Sequence, residues 1–482
     1  MPASDALPSP PPATPTRRVA LIVAAAFFML LLDGAILNTS LPNMAANLGV
    51  TPIALTGAVT VYLLASAAIM PASGWIAERF GPRRVFLIAI AAFTLASVGC
   101  GMASGLTELV VARFVQGLAA GVMAPVGRAI VLRNAAKSEV MGAVALIVWP
   151  SLLAPVIGPL LGGFITTYAS WRWNFFINLP VGLLGFLAIV RWVPNVSVPR
   201  PGALDLRGAL LSGGALVMLL FGLERCAQAG PRLVNWAWPT ALVLAGLATG
   251  AAALRHLRRV PEPVVSLAPF GVRTFAIATV SAGTFFMMCL QATPFLVPLM
   301  FQIAFGMTAV QAGLFTFAYF LGNLSMKTIT TPVLRRFGFR SVTLVNGGIA
   351  AVAMLGCAVL GTGTPVALTV ALLVVAGATR SMQMTSMNTL AFADIDPALR
   401  PPASTLSAVC AQLASALGAA VGTLLLALSQ IAHGRDALAA ADFRFAFVCI
   451  GLIALASLGG FARLQPGDGA EVSGHRVPAR AA

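Results

Sequence analysis

The chain is expected to fold as an all-α integral membrane protein, and three features carry that expectation: its composition, the length of its apolar runs and the placement of its positive charges. Of 482 residues, 59% are hydrophobic and only 9% charged, with a mean hydropathy of +0.93. A water-soluble domain carries about a quarter charged residues, so most of this surface must face lipid. A bilayer core takes about 20 apolar residues per helix. Apolar runs fall at about 19–41, 55–77, 84–103, 107–132, 139–166, 173–194, 204–224, 235–255, 275–298, 308–333, 341–361, 365–391, 403–430 and 443–463, which makes fourteen spans joined by short loops.

Orientation follows from Lys and Arg, which are retained in cytoplasmic loops. Of the 30, twenty-one lie in the even-numbered gaps and both tails, and only five (Arg172, Arg225, Arg232, Arg435, Arg444) in the odd-numbered gaps. Both termini are therefore expected in the cytoplasm, which requires an even number of spans. The basic turn Glu78-Arg79-Phe80-Gly81-Pro82-Arg83 is echoed by Arg335-Arg336-Phe337-Gly338-Phe339-Arg340. If the two turns are equivalent, two six-helix bundles occupy 19–194 and 261–464, with two inserted helices in 195–260. The proline-rich segment 1–18 and the segment 465–482 are expected to be cytoplasmic tails, the first disordered.

Several function classes drop out. A net charge of +16 would suggest nucleic acid in a soluble protein, but the basic residues are spread over loops and form no single surface. Six cysteines stand singly in apolar runs without a CxxC pair, so no metal site and no disulfide framework is expected. There is no GxxxxGK[ST] loop, and the two lysines, Lys137 and Lys327, lack its glycines, so ATP is not the energy source. No HExxH is present and no second aspartate faces Asp33, so neither covalent chemistry nor a cofactor is expected.

The ionisable residues inside the spans are the sharpest signal. Of fourteen acids, all but Asp33 fall at a span end, in a loop or in a tail. A carboxylate deep in the bilayer must be protonated part of the time, paired with a cation or open to water, and each option suits a proton carrier. The deep bases are Arg113, Lys327 and Arg380, with Arg128 snorkelling near a cytoplasmic end. Three bases against one acid leave a surplus of two positive charges. A cavity so lined is expected to prefer anionic, zwitterionic or neutral amphipathic substrates over dications. Asn38, Gln116, Gln383 and Asn388 are further candidate cavity residues, the last three because they lie near the deep bases in sequence.

The segment Gly74-Trp75-Ile76-Ala77-Glu78-Arg79-Phe80-Gly81-Pro82-Arg83-Arg84 resembles the loop signature of the major facilitator superfamily. In this reading Gly74 admits a neighbouring helix, Gly81 makes the turn, and Glu78 receives a helix N-terminus, with Pro401-Pro402 the candidate start of that helix. Further segments are similar to the fourteen-helix drug:proton antiporter branch: Leu32-Asp33-Gly34 through Pro42 in the first span, and Arg113-Phe114-Val115-Gln116-Gly117 with Gly121 in the fourth. The fifth carries Gly158-Pro159-Leu160-Leu161-Gly162-Gly163, and Ser170 through Pro180 enters the sixth. Pro155 and Pro159 remove backbone bonds and bend the fifth helix, while Gly158 and Gly162 form a close-contact face, an arrangement suited to a gate. Pro82 at a free position and Ala154 where the branch often has Gly are departures.

The resemblance implies a major facilitator fold and proton-coupled efflux of small amphipathic molecules, multidrug type, by alternating access across a bacterial inner membrane. Asp33 would exchange the proton and Arg113 tune or couple it; Glu78, Arg79, Arg83 and Arg84 would latch the cytoplasmic side. The partners are a small-molecule substrate, protons and the bilayer. A monomer is expected, with a periplasmic adaptor as a candidate partner. A dedicated exporter of an anionic metabolite or metal chelate is the alternative, and a proton symporter a third.

Overall fold

The computed structural model describes residues 16–50, 52–136, 139–148, 150–195, 202–228, 233–435 and 437–475. Among them the regular structure is helical. In chain order the helices are α1 (Thr16–Leu48), α2 (Pro52–Ile69), α3 (Ser73–Phe80), α4 (Pro82–Met102), α5 (Leu106–Asn134), α6 (Val140–Val148), α7 (Pro150–Tyr168), α8 (Trp173–Phe176), α9 (Asn178–Trp192) and α10 (Leu206–Gln228). They continue with α11 (Ala237–Leu257), α12 (Arg273–Thr279), α13 (Ala282–Leu299), α14 (Ala309–Ser325), α15 (Lys327–Ala358), α16 (Val366–Ala393), α17 (Arg400–Ala432), α18 (Ala440–Phe461) and α19 (Ala470–Ser473).

Eleven helical stretches among the described residues are long and apolar enough to cross a membrane. The other three expected spans coincide with α1, with α6 and α7 together, and with α14. Leu95, Leu210, Leu247, Val352 and Val359 are exposed on the outside of long helices, as lipid-facing side chains are. The runs 308–333 and 341–361 prove to be unevenly cut: α15 carries the end of the first and all but the end of the second. It is two helices that meet at Gly338, whose φ of +73° breaks the helical path between the two expected runs. The first basic turn uses the same device, with Gly81 at φ +88° and Pro82 opening α4.

Around α5 pack α2 and α4, with α9 beyond α4 and α1 lying against α5, α7 and α9. Around α15 and α16 pack α14 and α18, with α13 and α17 closing the other side. The two groups meet through α5 with α17, α6 with α16 and α7 with α14. Helices α10 and α11 pair with each other, and α10 lies on both α2 and α17, touching each group. Close backbone approach sets the α2–α5 contact. A Cβ on Gly117 would sit 2.4 Å from the carbonyl oxygen of Tyr62, and one on Gly121 2.3 Å from that of Ser66. The segment after 465 is not a free tail through residue 475: Val472 and Ser473 of α19 are buried, and Arg273 grips both carboxylate oxygens of Asp468 at 2.6 and 2.8 Å. An apolar side chain on a short amphipathic turn found a groove against α15 that hydropathy alone does not reveal.

Candidate functional site

Asp33 enters the protein from the middle of α1 and is 2% exposed. Its Oδ2 accepts from Arg113 Nη1 at 2.6 Å, and its Oδ1 accepts from Gln116 Nε2 at 3.1 Å and Asn178 Nδ2 at 2.9 Å. Arg113 and Gln116 stand one turn apart on α5, so one helix face supplies both. The same Arg113 Nη1 also donates to Gln116 Oε1 at 2.9 Å, and Asn178, at the start of α9, also donates to Ser97 Oγ at 2.9 Å. The guanidinium lies over two rings, 4.7 Å from the Phe175 centroid and 5.5 Å from that of Tyr62. Arg113 Nε and Nη2 make no hydrogen bond. A buried ion pair is tolerated only when its remaining lone pairs are bonded. Here every partner of the carboxylate is a donor, so protonating it removes the charge that pairs with Arg113 and adds an O–H for which none of these donor groups is an acceptor.

Arg380 on α16 donates to Gln291 Oε1 of α13 at 2.5 Å, and Gln291 Nε2 donates to Ser415 Oγ of α17 at 3.1 Å. Lys327 donates to Thr385 Oγ1 at 2.5 Å. Arg128 Nη1 donates to Ser407 Oγ at 3.1 Å, joining α5 to α17. None of these three cations pairs with a carboxylate among the described residues. Gln383 does not reach a base as its position in sequence suggested; it accepts from Asn346 Nδ2 at 2.9 Å and donates to the Thr343 carbonyl at 3.3 Å. Asn388 does lie beside a base, lining a small cavity with Arg128 and Phe392.

At the loop-motif end, Glu78, Gly74 and Trp75 line a cavity of about 390 Å³ with Pro402 and Thr405 of α17. Gly74 faces Thr405, whose Oγ1 would be 3.2 Å from an added Cβ. Arg79 and Arg84 are exposed, while Arg83 reaches back to the carbonyl of Val190 at the end of α9. Besides Arg128, further direct bonds join α5 to α17, and Arg400 supplies two that sequence reasoning missed. Arg400 Nη1 donates to the carbonyls of Leu132 and Ala135 at 2.6 and 2.9 Å, and Ser404 Oγ donates to that of Pro125 at 2.9 Å. Arg400 had counted only as a loop charge; its place after a turn and before Pro401-Pro402 is the one signal that marks it as a helix-start residue.

Two other acids are held inside the protein. Thr60 donates to Glu224 Oε1 at 2.7 Å, linking α2 to α10. Asp442, at the span end where the sequence places it, is nevertheless fully buried: it accepts from the Ala439 backbone, Ser429 and Arg435. It sits in the first turn of α18, where the exposed backbone N–H groups favour an anion. In the fifth-span motif, Gly158 and Gly162 of α7 are buried. Gly163 and the side chains of Asn38, Pro155 and Pro159 lie outside the described residues.

The family model for the Major Facilitator Superfamily matches residues 23–419 and 279–476. A Citrobacter koseri protein, provisionally named multidrug resistance protein MdtD, is 35% identical over 426 residues, covering 88% of this chain and 89% of the relative. Its counterpart in Salmonella paratyphi B, under the same provisional name, is 34% identical over 429 residues, with 88% and 89% covered. Among solved structures, the human organic anion transporter MFSD10 superposes with a TM-score of 0.64 at 17% identity, over 93% of this chain and 99% of that one. The proton:xylose symporter XylE does so at 0.62 and 16%, over 93% and 96%. These two share the fold. With spanning helices throughout, a family model over most of its length and relatives aligned nearly end to end, this chain belongs to the major facilitator superfamily and is a multi-pass membrane transporter.

Proposed function

We propose that this protein exports small amphipathic molecules across the inner membrane in exchange for protons, by alternating access of two six-helix bundles, 19–194 and 261–464, around a central path. Fourteen spans follow if α1, α6 with α7, and α14 cross the bilayer beside the eleven longer stretches. The relatives named for multidrug resistance support export as the direction. The observation that carries the mechanism is the carboxylate of Asp33, 2% exposed and bonded to donors from α5 and α9. Ionised, it ties three helices together through Arg113, Gln116 and Asn178. Protonated, it releases Arg113, and the helices are free to separate. A proton arriving from outside thereby favours one arrangement, and its loss to the cytoplasm favours the other. The driving force is about 2.3 kcal/mol per charge per 100 mV.

The contacts of Arg400, Ser404 and Arg128 across α5 and α17 close the end that carries Glu78, Arg83 and Arg84, which suits a state shut to the cytoplasm. The test is proton release from energised inside-out vesicles, wild type against Asp33→Asn, challenged with cationic, neutral and anionic amphiphiles. A substrate that releases protons from wild-type vesicles and none from the variant supports antiport through Asp33. Equal release from both would make Asp33 a packing residue and end this mechanism.

A further inference from the structure

We infer that Arg380, with Gln291 and Lys327, forms the head-group site for an amphipathic anion, because it is a buried cation held by a neutral amide, whereas the first half of the chain pairs its buried Arg113 with the carboxylate of Asp33. This deepens the transport reading above and rests on it. Tyr62 and Tyr319, Gly81 and Gly338, and Cys100 and Cys357 are each 257 residues apart, and Asp33 and Gln291 are 258 apart. Gly117 and Gly377, which meet the carbonyls of Tyr62 and Tyr319, are 260 apart, so Arg380 stands seven residues, two turns, further along its helix than Arg113 does.

The two arginines are held by partners of similar kind. Arg113 bonds Asp33 at 2.6 Å and Arg380 bonds Gln291 at 2.5 Å. Arg113 lies against Tyr62, and Arg380 lies within electrostatic reach of Tyr319. Cys100 donates to Gln116, and Asn346, from the equivalent helix, donates to Gln383. Both tyrosine-bearing helices meet their arginine-bearing helix through glycine against a bare carbonyl: Gly117 against Tyr62, and Gly377 against Tyr319. Charge differs as well: where the first half holds a carboxylate, the second holds a neutral amide, and an additional cation, Lys327, lies within electrostatic reach of Arg380.

Arg380 is 8% exposed, its Nε makes no hydrogen bond, and no carboxylate pairs with it among the described residues. An uncompensated guanidinium inside a membrane protein marks a substrate or ion path, and its planar fork fits a carboxylate or sulfonate. A narrow apolar cleft of about 30 Å³, which must widen to take an apolar body, lies within two turns of it. Thr284 and Met287 lie on the α13 face that bears Gln291, Met387 and Asn388 lie two turns from Arg380 on α16, and Ala411 precedes Ser415 by one turn on α17. All five line one cavity. Methionines there give a wall that adapts to different apolar bodies.

The test is equilibrium binding to the full-length protein in phosphatidylcholine nanodiscs, using three fluorescent probes with one apolar body: dansylaminoundecanoate, its methyl ester and the matching amine. Wild type should bind the carboxylate at least about tenfold tighter than the ester, the size of one charge-assisted hydrogen bond. Arg380→Gln should bring the two to similar affinity, and Arg380→Lys should restore part of the preference. Gln291→Glu keeps the amide's shape and supplies the missing carboxylate internally, so it too should abolish the preference. Equal binding of carboxylate and ester by wild type, a preference for the amine, or an unchanged carboxylate preference in Gln291→Glu would overturn the assignment. No proton gradient enters this assay, so failure here and failure of antiport are read separately.

Discussion

Arg400, at the start of α17, donates from a single Nη1 to the carbonyls of Leu132 and Ala135 at the end of α5. The last carbonyls of a helix have no partner within it, and a cation there also meets the negative end of the helix dipole. One side chain therefore both finishes α5 and fastens it to α17, which is the contact that must open if the two helix groups are to separate at this end.

Arg400→Ala should shift the population toward the state open at that end. Ser404, fully buried beside Pro125, reports on it. In a background with the native cysteines replaced, Ser404→Cys should react with maleimide about tenfold faster when Arg400 is alanine, the ratio expected for loss of about 1.4 kcal/mol. Unchanged labelling would mean the cap is local to α5.

Gly117→Ala or Gly121→Ala should be strongly destabilising, because each Cβ would collide with a backbone carbonyl, which has no freedom to move aside. Overpacking costs about 1–3 kcal/mol. Gly348→Ala is the control: nothing lies within 4 Å of its added Cβ, and it sits inside α15, so it should be neutral or stabilising. Melting of the detergent-purified variants separates the two; equal melting temperatures for Gly121→Ala and Gly348→Ala would contradict the close approach.

Asp33 and Arg113 should couple strongly in a double-mutant cycle. Arg113→Met alone strands a buried carboxylate, a loss of about 3–5 kcal/mol, whereas Asp33→Asn keeps an acceptor for Gln116 or Asn178. The double variant should be less damaged than the sum of the two, because no unpaired charge remains. Additive losses in melting experiments would show that the pair does not act as a unit.

These residues also show how far sequence reading reaches. Hydropathy located Asp33, Arg113, Lys327 and Arg380, because a charge within an apolar run is conspicuous wherever the run folds. Which charges meet was not legible: Asn178 joins Asp33 from 145 positions away, and only the packing of α9 on α1 brings them together. Gln383 was assigned by proximity in sequence to Arg380, but a separation of three residues on a helix fixes a face, not a partner, and Asn346 had the better reach. Asp442 was placed at a span end, correctly by position. Its burial was missed because helix starts can bury a carboxylate when backbone N–H groups satisfy it.

The loop flanking the α10–α11 pair offers a pH-dependent prediction. Asp205 accepts from His256 Nε2 and from the backbones of Gly208 and Val264, at 2.8, 2.8 and 3.4 Å. Burial alone would raise its pKa, but these hydrogen bonds outweigh it and hold the carboxyl below its ordinary value. A carboxyl with a depressed folded-state pKa stabilises the fold above its unfolded value, about pH 4, and that contribution fades as pH falls through the folded value. Asp205→Asn should therefore melt below wild type at pH 7, and the gap should be smaller at about pH 3. The loosened 202–208 segment should also free Trp75, whose Nε1 donates to the Gly202 carbonyl at 3.2 Å, giving a change in tryptophan fluorescence at pH 7. A melting gap that is the same at both pH values would show that Asp205 acts through shape and not through its charge.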